Sequence, residues 1–137
     1  LTSRSPDGPD DIAPNPFVFS GALFGAAAVC LGAFGAHALA GVLSARQAEV
    51  WDTAVQYHLV HALALVLCGL LVREQRSRPL KVAGWCFGLG VLLFSGSLYW
   101  LALGGPRFLG PVTPLGGVAL IAGWLALAIS ARPVRQV

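Results

Sequence analysis

The segment Gln56-Tyr57-His58-Leu59-Val60-His61 gathers the side chains best suited to chemistry in this chain. His58 and His61 are three residues apart, so on a helix they share a face, which Ala54 and Leu65 continue. His37, the third histidine, lies near the end of an earlier apolar run, and Ser95 lies in a later one. An antiparallel hairpin places His37 at about the depth of Gln56. The expected polar cluster is therefore His37, Gln56, Tyr57, His58, His61 and Ser95. Imidazoles in such a setting can hydrogen-bond between helices, using Ser95, Ser97 or backbone carbonyls. They can also pass protons or small solutes along a line with Glu49, Asp52 and Gln56, or ligate a metal, haem or pigment. The first reading leads. No carboxylate completes a ligand set, and two histidines three apart bind metals nonspecifically, so no metal and no cofactor is expected.

Other reactive patterns are missing. The chain has no G-x-S-x-G, no H-E-x-x-H and no phosphate loop, and its acidic residues fall in the tail or at the ends of apolar runs. Gly110-Pro-Val-Thr-Pro-Leu-Gly-Gly117 is glycine-rich, but its prolines remove amide donors, which favours a turn and cap. Cys30, Cys68 and Cys86 lie within apolar stretches without paired spacing, which reads as buried thiols acting as small hydrophobes. No catalytic residue is nominated, and the chain is not expected to be an enzyme.

The elements that must hold these residues follow from composition. Of 137 residues, 56% are hydrophobic and 11% charged, with a mean hydropathy of +0.74. Soluble domains carry about 25% charged residues, so the composition argues against a water-soluble fold. A bilayer core about 30 Å thick needs about 20 apolar residues per helix. Four runs reach that length and predict helices over about 16–40, 45–72, 81–103 and 114–131. The fold expected is an all-α membrane protein, four antiparallel transmembrane helices in a compact bundle over residues 17–132. Residues 1–16, rich in Pro, Asp and Ser, read as a flexible acidic tail, and 133–137 as a short C-terminal tail.

Local signals punctuate the runs. Asn15 before Pro16 reads as an N-cap with a first-turn proline. Ser44-Ala-Arg-Gln47 reads as a capping box, and it starts helix 2 early enough to put Trp51 in the headgroup region. Pro79 helps to stop helix 2, and Thr113-Pro114 reads as the cap and first-turn proline of helix 4. Gly21, Gly25, Ala28, Gly32 and Gly35 form a small-residue stripe on helix 1, with Gly84 and Gly88 similarly spaced on helix 3. Such stripes let backbones approach closely, within the bundle or against a second protein.

Charge sets the orientation. Arg4, Arg73, Arg76, Arg78, Lys81, Arg132 and Arg135 fall on one side of a four-span topology, Arg46 and Arg107 on the other. By the positive-inside rule both termini face the cytoplasm. Ala36-His37-Ala38 fits a signal-cleavage pattern. The preceding tail lacks a basic region and the apolar run is too long, so run 1 is read as a retained helix. The net charge of +3 is too dispersed for nucleic acid.

Four ordered motifs, Gly32-Ala-Phe-Gly-Ala-His-Ala-Leu39, Trp51 to Leu63, Phe94-Ser-Gly-Ser-Leu-Tyr99 and Gly110 to Gly117, resemble one family across roughly residues 17–131. It is the small four-helix membrane family called domain of unknown function 423, related to eukaryotic transmembrane protein 256. The resemblance implies an integral inner-membrane protein of bacteria and supplies no activity or catalytic residue. The expected role is a non-enzymatic accessory or scaffold subunit, packed against other membrane-protein subunits of a respiratory or photosynthetic type of complex. The alternatives are a small transporter or channel built on the polar cluster, and a metal-, haem- or pigment-binding protein.

Overall fold

The computed structural model describes residues 14–74 and 77–131; the two expected tails lie almost wholly outside the described residues, as does Arg76. Four long helices make the fold: α1 (Pro16–His37), α2 (Ala45–Glu74), α3 (Arg78–Ala102) and α4 (Val112–Ser130). A 3₁₀ turn at Arg107–Leu109 precedes α4. All four are long and apolar enough to cross a membrane. They run antiparallel, each packing extensively on the next, while α1 touches α3 only marginally. The inner helices α2 and α3 carry most of the buried residues, among them Leu65, Cys68, Ala83, Phe87 and Val91 of the core.

Caps define the ends. The Asn15 side chain accepts hydrogen bonds from the amides of Phe17 and Val18, as expected, and its amide group donates to the Gly69 carbonyl of α2 at 2.6 Å. One residue thus caps α1 and ties it to its neighbour. Ser44 and Gln47 form the expected capping box: the Gln47 amide donates to Ser44 Oγ at 3.3 Å and the Ser44 amide to Gln47 Oε1 at 3.0 Å. The last turn of α3 closes on Gly104, whose φ of +82° suits glycine. The Gly104 amide donates to the Leu101 carbonyl and that of Gly105 to Trp100, which satisfies two terminal carbonyls.

Several boundaries differ from the expectation. Helix α1 stops at His37 rather than near Ala40, and a turn containing Gly41 (φ +75°) follows. Helix α3 starts at Arg78, so Pro79 stands in its first turn instead of merely ending α2. Helix α4 starts at Val112 with Pro111 at the cap position, so Thr113 is not the N-cap. First-turn amides have no intrahelical partner, and Pro114 is accommodated there at no cost.

The glycine stripe of α1 is an internal seam. A Cβ on Gly21 would lie 2.7 Å from Val66 Cγ2 and 2.9 Å from the Val66 backbone nitrogen. On Gly32 it would meet Val55 at 3.3 Å, and on Gly35 it would run into the Trp51 indole. Ala28 is buried in the same line. Gly25 is the exception, with nothing within 4 Å of its Cβ position. On α3, Gly84 receives the Phe17 ring, while Gly88 has only Leu65 near it, at 3.9 Å.

The two kinds of stripe glycine should separate on substitution. Gly21→Ala is expected to lose about 1–3 kcal/mol, the usual cost of overpacking. Gly25→Ala should gain up to about 1 kcal/mol from helix propensity. Unfolding titrations in mixed detergent micelles measure both, and equal behaviour of the two variants would contradict the seam.

Candidate functional site

Helix α2 carries His58 and His61 in its middle turns, both buried, at 6% and 5% exposure. A 30-residue helix spans about 45 Å. His61 contacts Phe87 and Trp124, each well inside its own helix.

The partners of His61 assign its proton. Its Nδ1 lies 2.7 Å from the Tyr57 carbonyl, which can only accept, so Nδ1 carries the hydrogen. Its Nε2 is then a bare lone pair, and the Trp124 indole N–H donates to it at 3.0 Å. Both ring nitrogens are occupied, one along α2 and one across to α4. Around them, Phe87 packs edge-on against Trp124 with centroids 5.1 Å apart, and Tyr57 stacks on the His61 ring at 5.8 Å.

His58 faces other neighbours. Its Nδ1 is 3.2 Å from the Tyr99 hydroxyl of α3, and its ring meets Phe24 of α1 edge-on at 5.6 Å. Tyr99 in turn packs 4.8 Å from Trp51. Trp51 is only 3% exposed and donates its indole N–H to the Leu31 carbonyl at 3.0 Å. It fills the α1–α2–α3 junction, where Gly35 leaves it room. His58 Nε2 and Ser95 Oγ are buried without a hydrogen-bond partner among the described residues.

The expected cluster is thus only partly assembled. His58, His61 and Ser95 lie inside the bundle, and Tyr57 contributes its carbonyl and a half-exposed ring against Phe94. His37 is exposed and outside it, and Gln56 is exposed, lining a small cavity with Tyr57, Val60 and His61. His37 is the last residue of α1, where the helix stops short of reaching over α2. Thr113 works elsewhere: its hydroxyl pairs with that of Ser97 at 2.7 Å, and Ser97 also donates to the Phe94 carbonyl. This pair, rather than a cap, joins α3 to the start of α4. Trp124, Tyr99 and Trp51 are the partners that residue spacing did not single out. Each lies on a helix whose rotation about its axis is fixed only by packing. Among the described residues no three of His, Cys, Asp and Glu come close enough to hold a metal ion.

The arrangement can hold helices in register, and it leaves one buried imidazole nitrogen and one hydroxyl with spare hydrogen-bonding capacity. Its hydroxyl–imidazole contact is that of Tyr99 with His58.

A family model described as "Protein of unknown function (DUF423)" matches residues 31–117. A UPF0382 membrane protein of Staphylococcus haemolyticus is 48% identical over 114 residues, covering 83% of this chain and 93% of the relative. The UPF0382 membrane protein YwdK of Bacillus subtilis is 43% identical over 116 residues, covering 84% and 94%. No solved structure matches the chain significantly.

The His61–Trp124 bond should be measurable as a coupling. Interhelical hydrogen bonds between membrane helices contribute about 0.6 kcal/mol on average and up to about 1.7. A double-mutant cycle of Trp124→Phe and His61→Phe should return a coupling in that range by unfolding in detergent. Additivity of the two substitutions would show that the bond contributes nothing.

Proposed function

This chain belongs to the DUF423 family of membrane proteins, and from that premise we propose that it is a non-catalytic accessory or scaffold subunit. The observation that supports the reading is how its polar and apolar groups are divided. His58, His61, Ser95 and Ser97 are turned inward, and all but Ser95 are hydrogen-bonded within the bundle. The outer faces present large apolar groups, including Phe19, Trp85, Trp100 and Phe108, each more than half exposed. Such a protein acts by what it packs against. Other membrane-protein subunits, of a respiratory or photosynthetic type of complex, are the partners that suit this surface.

The proposed setting is the bacterial inner membrane with both termini cytoplasmic. Its support is the bacterial relatives together with the bias of cations, with Arg73, Arg78 and Lys81 at one end of the bundle against Arg46 and Arg107 at the other. Arg4, Arg132 and Arg135, also counted in that bias, lie outside the described residues.

A second reading, a proton or small-solute path, is favoured by the unpartnered His58 Nε2 and Ser95 Oγ. Buried polar atoms of this kind are costly in hydrocarbon, and a transient partner such as a moving proton or water offsets that cost. A resident metal, haem or pigment is the weaker reading: His61 is bonded on both ring nitrogens, and no three candidate ligands gather around His58 Nε2 among the described residues.

Extraction from native membranes in mild detergent should give a reproducible assembly larger than this chain, with the same membrane proteins in each preparation. Recovery as a solitary monomer would contradict the scaffold reading. For the second reading, liposomes containing the protein should pass protons faster than empty ones and lose that excess with His58→Leu. Flux equal to empty vesicles removes it.

A further inference from the structure

Between α1 and α3, over Leu65 of α2, lies an open apolar groove of about 530 Å³. Its walls include Phe17, Phe24, Gly88, Leu89 and Leu92. The lone hydroxyl there, Ser20 Oγ, is turned back onto the Pro16 carbonyl at 2.6 Å, so the groove offers nothing polar along its length. The groove exists because α1 and α3 barely touch and because Gly88 has no side chain to fill it.

At one end the groove runs into a second cavity of about 340 Å³, and the two share Pro16, Phe17 and Trp85. The lining changes there from apolar to basic. Arg73 from the end of α2 and Lys81 from the first turns of α3 both line the second cavity. Arg78, the first residue of α3, adds a third cation at this end, and both Arg78 and Lys81 are exposed. Glu74 is the sole acidic side chain at this end among the described residues. Trp85, 71% exposed, stands where the two cavities join, and indoles settle at the boundary between acyl chains and headgroups.

We propose that this composite groove is a binding site for an anionic phospholipid of the surrounding bilayer. One acyl chain lies along Gly88, Leu89 and Leu92, and the phosphate is held between Lys81 and Arg73. Each half of the site answers to one half of an amphiphile, in the order and orientation that a bilayer lipid already has. The joint volume falls within the about 300–1,000 Å³ range of small-molecule sites. The inference is independent of whether the chain serves as a scaffold, since it concerns what occupies one face of the isolated subunit.

The test reconstitutes the full chain with equal amounts of phosphatidylglycerol and phosphatidylcholine carrying identical acyl chains. Lipid retained after detergent extraction is then counted by native mass spectrometry. Phosphatidylglycerol should be retained in preference, near one per chain. Lys81→Gln and Arg73→Gln, both away from the core, should each lower that preference about fivefold, the effect of one basic residue near an anionic surface. Gly88→Leu, whose Cβ meets only Leu65 at an ordinary 3.9 Å, should displace both lipids without lowering the unfolding midpoint. Equal retention of the two lipids, or a preference untouched by Lys81→Gln and Arg73→Gln, would overturn the proposal. So would cross-linking that places a second copy of the chain in the groove.

Discussion

Hydrocarbon offers no hydrogen bonds, so every polar atom within the spans must find its partner inside the protein. That constraint organises this bundle. Backbone groups are satisfied by helix formation, and the few polar side chains then become the links between helices. Asn15 joins α1 to α2 through the Gly69 carbonyl, and Trp51 joins them again through Leu31. His58 and Tyr99 join α2 to α3, Ser97 and Thr113 join α3 to α4, and His61 with Trp124 spans from α2 to α4. Packing alone has many near-equivalent solutions between greasy helices. Each of these bonds removes most of them, because a half-turn rotation of one helix would leave two buried polar groups unpaired.

The glycines serve the same end from the steric side. Helix α1 carries few polar groups, and its position is set by the pockets that Gly21, Gly32 and Gly35 open for Val66, Val55 and Trp51. Where a small residue meets almost nothing, as at Gly88, the bundle leaves an open furrow. Close approach and open groove thus come from one residue type, and the neighbouring helix decides which results.

Much of this was legible in residue order. Lipid-length runs gave four spans, Asn15 and Ser44-Gln47 gave two helix starts, and the stripe on α1 marked a seam. These signals are local, or periodic along a single helix. The placement of His37 was not legible, because it depends on where α1 ends, and that end is exposed at the edge of the bundle. Nor was the role of Trp124, Tyr99 or Thr113, since each depends on how one helix is rotated against another. Trp51 shows the limit well: its type and position suit a membrane interface, and nothing in them reveals that the space over Gly35 takes the ring between the helices. His58 and His61, three residues apart, share the buried side of α2 and still answer to different neighbours.

The account rests on the pair formed by His61 and Trp124 being closed and dry. Nitrogen-15 NMR of the ring nitrogens, with the protein in bilayers transferred to deuterated water, observes it directly. A hydrogen on Nδ1, a bare Nε2 and a Trp124 indole proton that resists exchange are the expected result. A hydrogen on Nε2, or an indole proton lost as fast as that of a water-exposed tryptophan, would contradict it.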